Sequence, residues 1–308
     1  MQKTIRIGTR ESQLAIWQAN EVKRLLALSG HASELVYIKS EGDIDLVTPL
    51  YEMGVEGIFT RSLDAALLNN RIDLAVHSMK DVPIVLPIGL QQAAVLERAS
   101  EKDILVYKND IDFLKDTNSV AIIATSSIRR KAQWLNRFPN HIIENIRGNV
   151  NTRLQKLQEQ KWDAAIFAAA GLERIGLRPE KSIDLDWMLP APAQGAIMII
   201  ARNSDQYALD ATTKINHDET ATCTKIERDF LRTLLGGCST PISAFAEIKK
   251  DQLFFNGNML SVDGTEKVSI ELVETIDSLT QEFGIKAAMQ LLENGGNVIA
   301  EKIRNAAK

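Results

Sequence analysis

The stretch from Arg71 to Pro83 reads RIDLAVHSMKDVP and indicates how the first part of the chain folds. Its apolar centre, residues 72–77, has the length of a buried strand, and polar residues follow it directly. Ligand-binding groups of α/β proteins lie on loops beyond the carboxyl ends of the strands. We therefore expect Ser78, Lys80 and Asp81 to face a cleft, although a Lys–Asp pair in an ordinary loop is the simpler interpretation.

Strands and amphipathic helices alternate on both sides of this stretch. Such alternation is typical of parallel βαβ units and predicts an α/β fold. The predicted strands are 5–8, 35–39, 72–77, 120–124, 141–146 and 164–168, and the predicted helices are 12–28, 58–68, 127–138 and 149–160.

Two local echoes link the earlier and later parts of this pattern. Residues 7–10 resemble residues 124–127, and residues 71–76 resemble residues 161–166. Echoes this short also arise by chance. If they are genuine, they describe two α/β lobes that face each other across a cleft.

The last part of the chain has a different character. A long helix is predicted at 220–235, followed by short strands and a second helix at about 278–292, which together indicate a small α+β domain. Paired prolines at Pro190 and Pro192 predict a crossing segment, after which the apolar strand from Ala196 would return to the first lobe. The expected domains are 1–97 with 196–216 for the first lobe, 102–191 for the second lobe, and 218–308 for the C-terminal domain.

Composition narrows the function classes. The 308 residues include 36 Lys and Arg against 40 Asp and Glu, a net charge of −4 that argues against general nucleic-acid binding. Two cysteines exclude a disulfide framework and a four-cysteine zinc site, so we expect no metal centre and a reducing, cytoplasmic location. There is no apolar run of membrane-spanning length, and we expect a monomer with no membrane partner.

Basic residues cluster between Thr125 and Arg153. This segment holds six basic residues against a single acidic one, Glu144. The hydroxyl run 125–127 and the pair Arg147-Gly148 each stand where a helix begins, a position that favours an anion. Arginine pairs with carboxylates or phosphates through two parallel hydrogen bonds, so the cluster predicts an anion site. The alternative is a solvated helix face.

The two cysteines differ in their surroundings. Cys238 follows Gly236-Gly237 just after a helix end, where a thiol is accessible, although no adjacent basic residue lowers its pKa. Cys223 has apolar helical spacing, which is typical of an inert core residue.

Taken together, these segments resemble the porphobilinogen deaminase (hydroxymethylbilane synthase) family. Their order and spacing match from near residue 5 to about residue 245. The motifs that carry the resemblance are 7–10 with 14–17, 75–83, 124–130, 147–154, 169–174, 190–196 and 236–238.

The resemblance implies two periplasmic-binding-protein-like lobes, a small C-terminal domain, and a dipyrromethane cofactor in thioether linkage to Cys238. It also implies that four porphobilinogen molecules are joined head to tail with loss of ammonia, giving the linear tetrapyrrole hydroxymethylbilane for heme biosynthesis. Asp81 matches the catalytic carboxylate, which stabilises the cation formed as ammonia leaves. The matching cofactor- and substrate-binding positions are Arg10, Ser12, Phe59, Ser78, Lys80, Thr125, Ser126, Ser127, Arg129, Arg130, Arg147, Gly148, Arg153, Arg174 and Gln194.

Three positions depart from the family pattern. Glu41 and Glu56 replace residues that are often basic in the family, which puts in doubt the contribution of their loops to carboxylate binding. Ala193 stands where glycine is common and would stiffen the crossing segment.

Two alternative functions remain. A two-lobed anion-binding or sensing protein without catalysis would also need a charged cleft, but it would leave the cysteine-bearing third domain unexplained. A catalytically idle relative would not need both Asp81 and Cys238.

Overall fold

Three β-sheets organise the part of the chain that the computed structural model describes, residues 3–39, 57, 60–116, 118–234 and 240–306. The strands are β1 (Ile5–Thr9), β2 (Ser33–Tyr37), β3 (Leu74–Ser78), β4 (Leu90–Val95), β5 (Asp103–Tyr107), β6 (Ile122–Ala124), β7 (Ile142–Glu144), β8 (Ala164–Ala168), β9 (Ser182–Asp184), β10 (Ile197–Arg202), β11 (Ile242–Lys249), β12 (Gln252–Leu260) and β13 (Lys267–Thr275). The helices are α1 (Gln13–Leu28), α2 (Arg61–Leu68), α3 (Ile128–Arg137), α4 (Val150–Glu159), α5 (Ala169–Glu173), α6 (Gln206–Thr213), α7 (Asp218–Thr233), α8 (Phe283–Leu291) and α9 (Asn297–Ala306).

The first sheet has the strand order β2-β1-β3-β10-β4. β1 runs parallel to β2 and β3, whereas β10 runs antiparallel to both β3 and β4. β10, the strand that follows Ala196, therefore lies in the same sheet as β1 and β3. We call this sheet, with its helices, the first lobe.

The second sheet, in what we call the second lobe, repeats the topology of the first. Its order is β7-β6-β8-β5-β9, with β6 parallel to β7 and β8, and β5 antiparallel to β8 and β9. The sequence echoes fall at equivalent places, because 7–10 and 124–127 lie at the ends of β1 and β6, while 71–76 and 161–166 lead into β3 and β8. Parallel βαβ units account for only part of each sheet. The chain crosses from the other lobe into β10 of the first sheet and into β5 of the second, and each of these strands runs antiparallel to its neighbours.

The predicted helix from residue 12 to residue 28 illustrates how local sequence sets an element. Ser12 caps α1, and its hydroxyl accepts a hydrogen bond from the Ala15 N–H at 3.4 Å. Val22 and Leu26, four residues apart, are fully buried against the sheet. Gly30 follows the helix with a φ of +87°, a conformation that a glycine adopts readily.

A third, smaller sheet forms the C-terminal domain that the sequence predicts. β11, β12 and β13 make an antiparallel meander, and α7 and α8 pack against it. Phe255 of β12 contacts Phe230 and Phe283 edge to face, with ring centroids 5.1 and 5.9 Å away. The three sheets lie within the three predicted domain ranges, whose boundaries stay a prediction. None of the helices in the described ranges is long and apolar enough to span a membrane.

Glu227 of α7 joins the C-terminal domain to the segments that connect the two lobes. Its carboxylate is fully buried and accepts two hydrogen bonds from the Arg98 guanidinium, at 2.6 and 2.8 Å. It also accepts the N–H groups of Ala193 at 2.6 Å and Ala246 at 2.8 Å. Ala193, predicted to stiffen the crossing, has a φ of +62°, so Glu227 holds a backbone conformation that favours glycine.

We expect Glu227→Gln to lower the free energy of unfolding by about 3 kcal/mol, because it leaves the Arg98 guanidinium without a carboxylate in a largely buried position. Urea denaturation would measure the loss. The matched control is Glu247→Gln, which removes the partly exposed partner of the exposed Lys249 and should change the same quantity by less than about 1 kcal/mol. Equal stability of the two variants would contradict a structural role for the Arg98–Glu227 pair.

Candidate active site

A cleft of about 360 Å³ lies between the two lobes and reaches the C-terminal domain. Every predicted site residue that lies in the described part of the chain lines it. Phe59 and Cys238 fall outside the described residues, as do Glu41 and Glu56. The cleft is lined by Asp81, Arg10, Ser12, Ser78, Lys80, Thr125, Ser126, Ser127, Arg129, Arg130, Arg147, Gly148, Arg153, Arg174 and Gln194.

The first lobe contributes the loop after β3. A short 3₁₀ turn over Met79–Asp81 presents the Asp81 side chain to the cleft and leaves it exposed. Ser78 accepts a hydrogen bond at 2.9 Å from Gln18, a buried α1 residue that the sequence analysis missed. Lys80 donates to the Gln194 side chain at 3.0 Å. Burial and the nearby Arg130 lower the pKa of Lys80 to about 8.

Asp103, which the sequence analysis also missed, organises the charges of the second lobe. Its fully buried carboxylate lies 2.7 Å from both the Arg129 and the Arg130 guanidinium groups. The Gln194 amide donates to the same carboxylate at 2.9 Å, which links it to Lys80. Burial alone would raise the pKa of Asp103, but Arg129 and Arg130 outweigh this effect and hold the pKa well below its usual range.

The two guanidinium groups are also held by backbone carbonyls. Arg129 donates to the Leu189 carbonyl at 2.7 Å, and Arg130 donates to the Ile166 carbonyl at 3.0 Å. Both arginines are buried and therefore fixed in place before any ligand arrives. The other two basic residues of the α3 segment do not line the cleft, and Arg137 instead stacks on Trp187 at 4.8 Å.

The start of α4 adds further positive charge. Arg147 is buried, and Arg153 donates to the Gly148 carbonyl at 2.7 Å. Gly148 has a φ of +113°, and a Cβ atom there would lie 2.7 Å from the Thr152 side chain, so this tight approach requires glycine. Burial, followed by repulsion from Arg130, lowers the pKa of Arg153 to about 10. An anion near Arg153 would relieve this repulsion.

The predicted hydroxyl run forms the local caps at the start of α3. Ser127 caps this helix and accepts the Arg130 N–H at 3.4 Å. Ser126 donates to the Ile146 carbonyl, and Thr125 accepts the Ser127 N–H at 3.2 Å. These hydroxyls therefore shape the wall of the cleft, and their role in binding stays a prediction.

Arg174 connects the two lobes near the cleft. Its guanidinium lies over the Trp17 ring of the first lobe at 5.5 Å and donates to the Gly195 carbonyl at 2.7 Å. Burial lowers the pKa of Arg174 to about 10. Arg10 lines the opposite wall, so guanidinium groups from both lobes face one space.

His77 does not supply a proton to this site. It is 5% exposed, and burial together with the charge of Arg10 lowers the pKa of its imidazole to about 3. The ring is therefore neutral at ordinary pH. His77 is therefore a buried residue of β3 that contributes no charge to the cleft.

The C-terminal domain closes part of the cleft. Leu231, Thr240 and Ile242 line it, and they flank the segment that contains Cys238. Cys223 lies in the apolar core of this domain, where burial raises the pKa of its thiol to about 12. A thiol that stays protonated is a poor nucleophile, which agrees with the inert role predicted for Cys223.

The sequence models of two domain families match the chain. The porphobilinogen deaminase dipyrromethane cofactor-binding domain matches residues 5–210, and the porphobilinogen deaminase C-terminal domain matches residues 221–293. The chain belongs to the porphobilinogen deaminase family. The porphobilinogen deaminase of Chlorobium phaeobacteroides is 39% identical over 313 residues, covering 99% of each chain. That of Pelobacter propionicus is 40% identical, covering 98% of this chain and 97% of the relative.

Similarity to solved structures is looser. The VFT2 domain of BvgS from Bordetella pertussis has a TM-score of 0.43 and 14% identity, covering 71% of this chain and 91% of that chain. A putative methionine-binding lipoprotein from Bacillus subtilis has a TM-score of 0.42 and 14% identity, covering 70% and 90%.

The geometry of the cleft fits the cofactor named in the family description. A dipyrromethane formed from two porphobilinogen units would carry their acetate and propionate side chains, and these require cations in a site that excludes much of the water. The cleft supplies guanidinium groups on both walls, and burial lowers the pKa values of Arg153 and Arg174. Arg129, Arg130, Arg147 and Arg153 would hold the acidic side chains from the second lobe.

Proposed function

We propose that this protein is a hydroxymethylbilane synthase that condenses four porphobilinogen molecules head to tail and releases one ammonia for each. The product would be the linear tetrapyrrole hydroxymethylbilane, an intermediate of heme biosynthesis, made in the cytoplasm. The observation that carries the proposal is the meeting of one exposed carboxylate, Asp81, with guanidinium groups from both lobes in a single cleft. Family membership supports the same reaction.

Asp81 is the proposed catalytic residue. In each condensation the carbon–nitrogen bond of the porphobilinogen aminomethyl group breaks, and ammonia departs. A carbon–carbon bond then forms to the free α-carbon of the growing chain, which loses its proton. The Asp81 carboxylate would stabilise the positive charge that develops as ammonia leaves, and it would take part in proton transfer.

The arginines have a separate role in this proposal. Each added porphobilinogen brings an acetate and a propionate, so the growing chain accumulates negative charge. Arg10, Arg147 and Arg153 would pair with these groups, since a guanidinium binds a carboxylate through two hydrogen bonds. Holding the acidic groups orients the reacting carbons and lowers the entropic barrier of each condensation.

Cys238 is the proposed attachment point of the dipyrromethane cofactor. The bound cofactor would supply the free α-carbon at which chain growth begins and would stay attached when water releases the product. Thr240 and Ile242 line the cleft close to Cys238 in sequence, which supports an attachment at this end of the site. The alternative of a non-catalytic anion-binding protein is less favoured, because it assigns no task to Asp81 or to this domain.

The mass of the intact protein tests the proposal most directly. We expect the native chain to carry a pyrrolic mass excess and to colour with Ehrlich's reagent, and Cys238→Ser to lack both. Cys223→Ala is the matched control, because it removes the other of the two cysteines and should retain the excess. An unmodified Cys238 in fully active protein would refute the proposed attachment.

We expect Asp81→Ala to retain the fold and to lose at least about 100-fold in turnover, because its carboxylate is exposed and acts on the reacting atoms. Porphobilinogen consumption would measure turnover, and thermal unfolding would check the fold. Asp112→Ala, at an exposed position of the second lobe, should behave like the native protein. Near-normal turnover of Asp81→Ala would remove Asp81 from the mechanism.

Lys80 makes the affinity for substrate depend on pH. The protonated ammonium attracts carboxylates and is lost as the pH rises through about 8, so we expect kcat/KM for porphobilinogen to fall above this pH by up to about tenfold per pH unit. Lys80→Arg keeps its charge at alkaline pH and should abolish the fall. Lys214→Arg, at an exposed position of the first lobe, should keep the native profile. If kcat/KM of Lys80→Arg falls at alkaline pH as in the native protein, another group causes the fall.

A further inference from the structure

The loop that carries Asp81 is held by a residue of another domain. Arg228 of α7 is 8% exposed, and its guanidinium reaches the first lobe. One terminal nitrogen donates to the Val82 carbonyl at 3.0 Å and, at a longer 3.4 Å, to the Met79 carbonyl. The other donates to the Pro83 carbonyl at 2.7 Å. One planar cation therefore binds three carbonyl oxygens on either side of Asp81.

The turn has few bonds of its own. The Val82 N–H donates to the Met79 carbonyl at 3.1 Å, and the Met79 N–H donates to the Ala196 carbonyl at 3.0 Å. Among the described residues, no hydrogen bond fixes the Asp81 carboxylate itself. The position of that carboxylate therefore depends on the backbone of the turn, and Arg228 provides the charged donors to this backbone.

The part of α7 that carries Arg228 is itself held in place. The preceding residue, Glu227, is bonded to Arg98 and to the N–H groups of Ala193 and Ala246. Because these bonds hold α7 against the lobe connections, the guanidinium of Arg228 has little freedom to follow a moving turn. The C-terminal domain, to which α7 belongs, thereby supplies fixed donors to the backbone of the turn.

We infer that Arg228 is a positioning residue that sets the place of Asp81 relative to the domain bearing Cys238. The inference rests on the proposed function, in which Asp81 acts on the reacting atoms. Hydrogen bonds from a charged donor are stronger than those between neutral groups, and a methionine of similar length would leave three carbonyls without that donor. A small displacement of a catalytic group is enough to slow a reaction strongly.

The experiment compares Arg228→Met and Arg228→Lys with Arg232→Met, one turn further along α7, where the side chain is 57% exposed. For each holoenzyme, kcat and KM for porphobilinogen are measured, and kcat is divided by the fraction of the protein that carries cofactor, which intact mass supplies. Hydrogen exchange of the peptide over residues 78–84 reports on the turn independently of activity. Thermal unfolding accompanies each measurement.

For Arg228→Met we expect kcat per loaded enzyme to fall by about 100-fold with KM within about twofold, and exchange over 78–84 to become faster than elsewhere in the first lobe. Arg228→Lys, which can still donate to some of the carbonyls, should be intermediate at about a tenfold loss. Arg232→Met should match the native protein in every measurement. If the methionine variant does not fold, the kcat of the lysine variant decides the question.

Two results would overturn the inference. The first is a kcat per loaded enzyme within twofold of native for Arg228→Met and Arg228→Lys, with unchanged exchange in the turn. The second is a loss confined to cofactor loading or thermal stability, which would make Arg228 a structural residue only. Absence of turnover in the native protein would instead refute the proposed function, and hydrogen exchange would still show whether Arg228 holds the turn.

Discussion

The buried carboxylate of Asp103 makes it possible to concentrate so much positive charge in one cleft. Arg129 and Arg130 are neighbours in sequence, and both are buried. Without a counter-ion, the two charges would repel each other, and each would also lose its hydration without compensation. Through Gln194, the same carboxylate is linked to Lys80 on the opposite lobe. The network therefore sets the cationic wall before a ligand enters, and a ligand that brings carboxylates meets donors that need little reorganisation.

Three parts of the chain contribute to the site in different ways. The first lobe presents Asp81, the second lobe presents most of the guanidinium groups, and the C-terminal domain holds the Asp81 turn through Arg228. The shared topology of the two large sheets explains how these groups meet. In both sheets the parallel strands end at the cleft, so the loops that follow β1, β3, β6 and β8 deliver polar residues from two directions.

Much of this arrangement could be predicted from the sequence. The strand before Ser78 and the helix after Ser127 have strong local patterns, and the structure has both within two residues of the prediction. β4, with the sequence LQQAAV, lacks a run of apolar residues and was not predicted. Asp103 and Arg228 were also missed, because each acts on partners that are distant in sequence, and no local pattern indicates such a pairing.

The lobes are joined by two segments of chain rather than one, and these segments lie against each other. Gly195 has a φ of +86°, and a Cβ atom there would lie 2.7 Å from the Ala99 carbonyl oxygen, while the Ala99 N–H donates to the Gly195 carbonyl at 3.2 Å. A single connection would let one lobe swivel about several axes. Two bonded connections side by side leave fewer axes for relative motion than a single connection would, so each cation is kept across from the same part of the other wall.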